Sequence, residues 1–306
     1  TSISGQEFKD GMEEHYRVSP AELPSKAEFA GEKVPLKIFY VKESFDREMI
    51  VNMYWHTSTM LLLKRSNRWF PLIEPILKKN NIPDDFKYLA LIESGLMQVV
   101  SPSGATGFWQ FLKGTAKDYG LEVTDEVDER YHVIKSTEAA CQYLKDSYEI
   151  FGNWTLVAAS YNAGKSRIKE ELIEQQVDNY YDLYLNEETS RYVYRILAIK
   201  TIFTNPEKYG FFLSDDDLYE PIPTREIVVS DKVDDFRDFS IQNGIAYKVL
   251  KSMNPWLRKS YLTNINNRPY TLYLPEKGYI PRVKIDKASE QLFQPGSKKD
   301  PETAIH

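Results

Sequence analysis

The sequence predicts a mainly α-helical protein with a small α+β module near its C-terminal end, on three observations. Apolar residues recur at helical spacing from Ser44 to about Phe212. Helix stops of the Gly95, Asn162-Ala163-Gly164 and Asn254-Pro255 kind punctuate the chain. After an acidic, proline-bearing linker that includes Asp215-Asp216-Asp217 and Pro221-Ile222-Pro223, the pattern turns to strand, helix, helix, strand.

At 306 residues, 42% hydrophobic and 27% charged, the chain is long enough for one large core plus a small module. A net charge of -6 argues against nucleic acid as the main partner, because phosphate binding needs a basic face. No run approaches the roughly 18 apolar residues that span a bilayer. His15, His56, His132 and His306 show no ligand spacing, so no metal or other cofactor is expected. Cys141, the single cysteine, sits in an Ala-Ala-Cys helix and reads as a small core residue.

Residues 1–43 are polar and proline-spaced (Pro20, Pro24, Pro35) and read as an extended arm, laid on the surface or partly disordered. Phe45, Met49, Val51, Met53, Tyr54 and the run Met60 to Leu63 predict helices reaching about Asn80, interrupted at Trp69-Phe70-Pro71. Pro83-Asp84-Asp85 opens a short buried helix through Phe86, Leu89, Ala90 and Ile92, closed by Gly95. A further helix starts at Lys113. The charged loop 124–130 is either solvated and self-paired or a brace for a cleft wall through Asp128 and Arg130. Ser136-Thr137-Glu138 caps a helix through Tyr148, with an acid suited to its N-terminal dipole. Trp154 to Tyr161 is apolar and helical, 165–176 is charged and helical, and Glu188 precedes the apolar face of Tyr192, Val193, Ile196 and Leu197. The helical domain thus spans 44–213, the linker 214–224, the module 225–285 and a tail 286–306. Within the module we expect a strand at 226–229, helices at 233–243 and around Tyr247, Leu250 and Met253, a strand at 271–275, and an edge strand at 280–285.

The chemistry concentrates between Leu89 and Gln110. Glu93 falls in the last turn of its helix, where the dipole is negative and the neighbours are apolar, and both raise a carboxyl pKa as a general acid requires. An isolated glutamate at a helix end is ordinarily a solvated surface charge. Here a turn-rich Ser-Pro-Ser-Gly-Ala-Thr-Gly loop and Phe108-Trp109-Gln110-Phe111 follow it, and aromatic faces beside an amide suit a sugar ring as well as they suit a core. Tyr161 offers a hydroxyl, and Asn162 a side chain that tolerates a helix end.

Glu93-Ser94, Gly107-Phe108-Trp109-Gln110 and Ala158-Ala159-Ser160-Tyr161-Asn162-Ala163-Gly164, in that order, resemble the lytic transglycosylases of the goose-lysozyme-like superfamily, the membrane-bound lytic murein transglycosylase D type in particular. Asp128-Glu129-Arg130, Ser136 to Ala140, Tyr143-Leu144-Lys145, Glu188-Thr189 and Tyr192-Val193 extend the resemblance over 70–212. After Arg130, Tyr131-His132-Val133 stands where the family often has Arg-Asp-Pro. The resemblance implies a lysozyme-like helical catalytic domain, braced by the helices before it, that acts on peptidoglycan glycan strands. It makes Glu93 the single acid and base, with Ser94, Met97, Trp109, Gln110, Tyr161, Asn162, Glu188 and Tyr192 as substrate-binding candidates. It also implies a periplasmic, outer-membrane-associated enzyme, often lipid-anchored through a cysteine that this sequence lacks at its start; a monomer is expected. The module resembles LysM domains, which bind N-acetylglucosamine chains, or else serves to pack against and shield the cleft. Two alternatives stand: a goose-type lysozyme, with Glu188 or Asp128 positioning water, and a non-catalytic wall-binding protein.

Overall fold

The fold is mainly helical. The computed structural model describes residues 19–279; the arm before residue 19, the edge strand at 280–285, the tail, His15 and His306 lie outside them. The chain divides into two compact units. The first runs to Ile222 and takes in Pro255–Lys259; the second comprises Pro223–Asn254 and resumes at Ser260. No described helix is long and apolar enough to cross a membrane.

The first unit opens with an antiparallel hairpin of β1 (Glu28–Phe29) and β2 (Glu32–Lys33). The loose surface arm expected here is replaced, from residue 19, by packed chain. Phe29 is fully buried, with its ring 5.2 Å from that of Phe86. Helix α1 (Phe39–Tyr54) begins five residues before the expected start. Trp55 separates it from α2 (His56–Lys79), which continues through Pro71 and Pro75 instead of breaking near Trp69. Each proline costs an interior helix roughly 3 kcal/mol. Phe70, Ile73, Ile76 and Leu77 are buried on the same stretch, each returning roughly 1.5–3 kcal/mol, so packing carries the helix past the local penalty.

Helix α3 (Phe86–Ser94) buries Phe86, Leu89, Ala90 and Leu91 and stops at Gly95 in the left-handed conformation, φ 60°. After α4 (Lys113–Asp118) comes a single 3-10 turn, Glu129–Tyr131, and then α5 (Val133–Phe151). The last starts three residues before the predicted Ser136 cap. Burial pushes the His132 imidazole down to about 4, so it is neutral, and its Nδ1 accepts from the Lys135 N–H at 3.4 Å as the cap. Ser136 and Thr137 are instead buried in the first turn and donate to the Val133 carbonyl at 3.3 and 2.7 Å. Helices α6 (Trp154–Ala163), α7 (Lys165–Gln175) and α8 (Glu187–Thr204) follow, with Cys141 of α5 buried. Helix α8, buried from Tyr192 to Ile199 apart from Arg195, packs against α1, α3 and α6 and is the spine of the unit.

One cap comes from far away in sequence. The Glu32 carboxylate accepts from the Trp154 and Thr155 N–H groups at 2.6 and 2.9 Å and from the Thr155 hydroxyl at 2.7 Å. It thereby meets the free donors and the positive end of α6. Glu32→Ala is expected to lower stability by about 1–2 kcal/mol in urea denaturation, and an unchanged midpoint would remove the cap from the account.

In the second unit β3 (Thr224–Val229) pairs antiparallel with β4 (Tyr270–Pro275), with Glu226 opposite Tyr273. Alternate residues of β3 are exposed, as a strand with one covered face should show. Helices α9 (Phe236–Gln242) and α10 (Tyr247–Met253) supply Phe236 and Leu250 to a core with Leu272 and Leu274. The predicted helix over 233–243 is therefore shorter at its start, because Asp235 accepts from the Arg237 N–H and caps there. Buried Asn254 explains the Asn-Pro stop: its amide donates to the carbonyls of Leu250 and Tyr273 at 3.0 and 2.7 Å and accepts from the Tyr273 N–H at 2.8 Å. One side chain thus ends α10 and ties it to β4.

Candidate active site

Glu93 reaches a cavity of about 520 Å³ from the final turn of α3, since Gly95 turns the chain away just beyond it. The side chain is half-buried, and the Tyr192 hydroxyl, from α8, donates to its Oε1. Burial raises the carboxyl pKa above its ordinary value; the Tyr192 hydrogen bond and the Arg195 charge pull it down, and the Glu188 charge pushes it up. A proton held more firmly than on a free glutamate, next to a donor that stabilises the anion once formed, suits a group that gives a proton and then takes one back.

The loop from Val99 to Phe111 forms the opposite wall. Short backbone links fold it: Gly107 N–H to the Val99 carbonyl at 3.0 Å and Ser101 N–H to the Ala105 carbonyl at 2.8 Å. Gln110 lines the cavity with φ 49°, and its amide donates to the carbonyls of Gly107 and Val99 at 2.7 and 3.2 Å. Tyr161 lines it too, but its hydroxyl donates to the Trp109 carbonyl at 2.7 Å and not to Glu93. Burial, then the Glu93 charge, keep that phenol protonated. Asn162 sits at the rim, donating to Glu188 at 3.2 Å and accepting from the Thr189 hydroxyl at 2.9 Å, so it joins α6 to α8.

Two candidates face elsewhere. Trp109 is fully buried and its indole N–H donates to the Thr137 hydroxyl at 2.9 Å, so its ring offers no face to a sugar. Ser94 is buried and gives its hydroxyl to the Phe108 carbonyl at 2.9 Å; it does not hold the Glu93 carboxyl, but fastens the end of α3 to the loop. Met97 is exposed and lines a neighbouring cavity instead. Glu188, also exposed, lines both.

The charged loop is solvated only at its start, where Thr124 and Asp125 are exposed, and is self-paired at its buried end. Asp128 is buried and engages Arg130 through Nε at 3.0 Å and Nη2 at 2.7 Å, while Arg130 Nη1 donates to the carbonyls of Gly104 and Phe111 at 3.0 and 3.2 Å. The pair braces the cavity loop from behind, and breaking such a buried pair typically costs about 3–5 kcal/mol. The loop also pairs with Pro255–Lys259: the Asp128 N–H donates to the Trp256 carbonyl at 2.9 Å and the Arg258 N–H to Glu126 at 2.7 Å.

Sequence reasoning missed three lining groups. Ser101 and Ser103, whose hydroxyls are 2.9 Å apart, were legible only as turn residues. Arg195 stands one turn after Tyr192, and that spacing on one helix face was the available signal. Among the described residues no cluster of three or more His, Cys, Asp or Glu side chains could hold a metal. Replacing Tyr192 with Phe keeps the ring and removes the hydroxyl that pulls the Glu93 pKa down. The expected result is a rate loss of about 10- to 100-fold and a basic limb of the pH–rate profile moved to higher pH. An unmoved limb would detach Tyr192 from Glu93.

A family model described as the Transglycosylase SLT domain matches residues 71–183, and one described as the soluble lytic transglycosylase C-terminal LysM-like domain matches 225–278. The membrane-bound lytic murein transglycosylase D of Escherichia coli is 28% identical over 258 residues, 82% of this chain and 54% of that protein. A putative tributyltin chloride resistance protein of an Alteromonas species is 28% identical over 118 residues, 38% of this chain and 57% of that protein. The chain therefore spans about half the length of the curated relatives it matches. The X-ray structure of an inactive mutant of lytic transglycosylase Slt from Pseudomonas aeruginosa is 18% identical, with a TM-score of 0.36, covering 49% of this chain and 26% of that one.

Proposed function

Because the chain carries an SLT transglycosylase domain followed by a LysM-like domain, we propose that it is a peptidoglycan lytic transglycosylase of the cell envelope, working with Glu93 as its single acid and base. The observation that carries the reading is the Glu93 carboxyl, its pKa raised by burial and its Oε1 held by Tyr192, at the wall of an open cavity. Glu93 protonates the glycosidic oxygen between N-acetylmuramic acid and N-acetylglucosamine. The 2-acetamido group of the muramic acid attacks C1 as that bond breaks. The Glu93 carboxylate then takes the proton of the muramic C6 hydroxyl, whose oxygen closes on C1 and expels the acetamido oxygen. The product is a 1,6-anhydro sugar, the proton count balances, and no water is consumed.

The two-carboxylate route, with the acids about 5–5.5 Å or about 6.5–9.5 Å apart, is the general alternative, and substrate-assisted enzymes depart from it. Asp128 is spent on Arg130 and offers no base. Glu188 shares the cavity and is the acid a hydrolytic reading would use. Gln110, Ser101 and Ser103 would hold the sugar hydroxyl and acetamido groups, with Asn162 holding Glu188 in place. The LysM-like module would add glycan affinity. Mass spectrometry of soluble products from purified sacculi tests the reading. Anhydro-terminated muropeptides, lighter by one water, are expected. Reducing ends would make the enzyme a lysozyme with Glu188 as its second acid, and binding without products would leave a wall-binding protein.

A further inference from the structure

Helix α1 uses two of its sides within its own unit. Val41, Phe45, Glu48 and Met49 are buried. On a flank, the Tyr40 hydroxyl donates to Asp182 at 2.7 Å and Arg47 Nη2 donates to Glu187 at 3.0 Å. Phe39, Lys42, Glu43, Asp46 and Ile50 follow one another at spacings of one, three and four and make up a third, open face. Phe39 is 70% exposed and Ile50 37%. The side chains of Lys42, Glu43 and Asp46 have neither a hydrogen bond nor an ion pair among the described residues. Lys42 and Asp46 stand one turn apart without pairing, and a base before an acid is the less favourable order on a helix. Leu23, Pro24 and Leu36 join the first four residues of this face around a groove of about 810 Å³, which shares no residue with the Glu93 cavity.

The order of groups along the face selects its partner. With Lys37 the groove carries two cations and two anions, so it favours neither a polyanion nor a polycation. The face reads apolar, basic, acidic, acidic, apolar. Turned end for end about a point near Ser44, the same face sets Asp46 against Lys42 and Ile50 against Phe39. A twofold axis there makes each of these contacts twice, as in an isologous dimer. Glu43 lies beside the axis, only about 4.5 Å along it from the second copy's Lys42. Leu23, Pro24 and Leu36 widen the apolar surface at the Phe39 end, so the second copy's Ile50 is covered by more than one ring. A helix of 16 residues is about 24 Å long, which places the contact at the small end of specific interfaces and makes the dimer concentration-dependent.

We propose that the open face of α1 is where two copies of this chain meet, antiparallel about a twofold axis near Ser44, with Lys42 of each copy against Asp46 of the other. The dimer stands in place of the monomer expected from the sequence, and it does not depend on the peptidoglycan reading. Sedimentation equilibrium of the full chain between about 1 and 200 µM tests it, and the mass should climb from one chain toward two across that range. Lys42→Glu and Asp46→Lys each set like charges against one another at both symmetric contacts, and each should weaken association at least about tenfold. Neither side chain has a partner within the chain, so both variants should keep the wild-type circular dichroism spectrum and urea midpoint. Mixing them brings opposite charges together at both contacts. The mixture should therefore associate within about threefold of the wild type while each variant alone stays a monomer. A wild type that remains monomeric throughout, a dimer indifferent to both substitutions, or a mixture that fails to associate overturns the contact.

Discussion

Glu93→Gln should reduce transglycosylation by at least about 10³-fold while making the protein more stable at neutral pH. The rate effect follows from one carboxyl serving twice. General acid–base catalysis is worth about 10²–10⁴-fold in a single transfer, and Gln can neither give the first proton nor take the second. The stability effect follows from linkage. Burial raises the Glu93 pKa in the folded protein, so the folded state holds that proton more tightly than the unfolded chain does. As pH climbs through the ordinary glutamate range toward the raised value, the wild type is progressively destabilised by a carboxylate confined in the cavity wall. Gln has no proton to lose, and it still offers Tyr192 an acceptor. Unfolding midpoints of the two proteins should therefore coincide below about pH 4 and separate above it, the variant higher by about 0.5–2 kcal/mol. Turnover within tenfold of wild type would strip Glu93 of its role. Midpoints running together at every pH would mean that burial is not what perturbs it.

What was legible in the sequence, and what was not, divides along the length of chain each feature involves. The position of Glu93 was readable because helix, acid and Gly95 stop lie within ten residues and each obeys local rules. Asn254-Pro255 was readable as a stop for the same reason. Its second duty, holding Tyr273 of β4, was not, because it is made across the fold. Tyr192 could be placed on an apolar helix face, yet its bond to a carboxylate 99 residues earlier is a product of α8 packing on α3. The aromatic pair Phe108-Trp109 beside Gln110 looked like a sugar platform because composition does not reveal direction. The structure turns both rings into the core and leaves the backbone carbonyls of the same two residues to hold Ser94 and Tyr161. Pro71 misled in the opposite sense: the local penalty is real, but the buried face of α2 outweighs it. Glu32 was unremarkable among polar residues until α6 brought its first turn to the carboxylate, 122 residues along the chain.

Gly107→Ala should be the most damaging glycine-to-alanine change among the described residues. At φ 79° the added side chain meets backbone strain, but the larger problem is room. A Cβ there would sit 2.0 Å from the Arg130 carbonyl oxygen and 2.9 Å from its carbon. Arg130 has little freedom to retreat, since its guanidinium is held by Asp128 and by the carbonyls of Gly104 and Phe111. The Gly107 loop must therefore move instead. With it would go the Phe108 carbonyl that fastens Ser94, the Trp109 carbonyl that receives Tyr161, and the Gln110 side chain in the cavity wall. A loss of more than about 4 kcal/mol is expected, and turnover should fall even in whatever fraction still folds. Gly104→Ala separates the two causes. Its φ of 82° is nearly the same, but nothing lies within 4 Å of the new Cβ, so only the strain of about 1–2 kcal/mol remains. Urea midpoints for the two variants decide the matter. If Gly107→Ala costs no more than Gly104→Ala, the close approach to Arg130 is not why glycine stands there; if it costs several kcal/mol more, the glycine at the head of the Phe108-Trp109-Gln110 segment is required by a neighbour's backbone and not by any ligand.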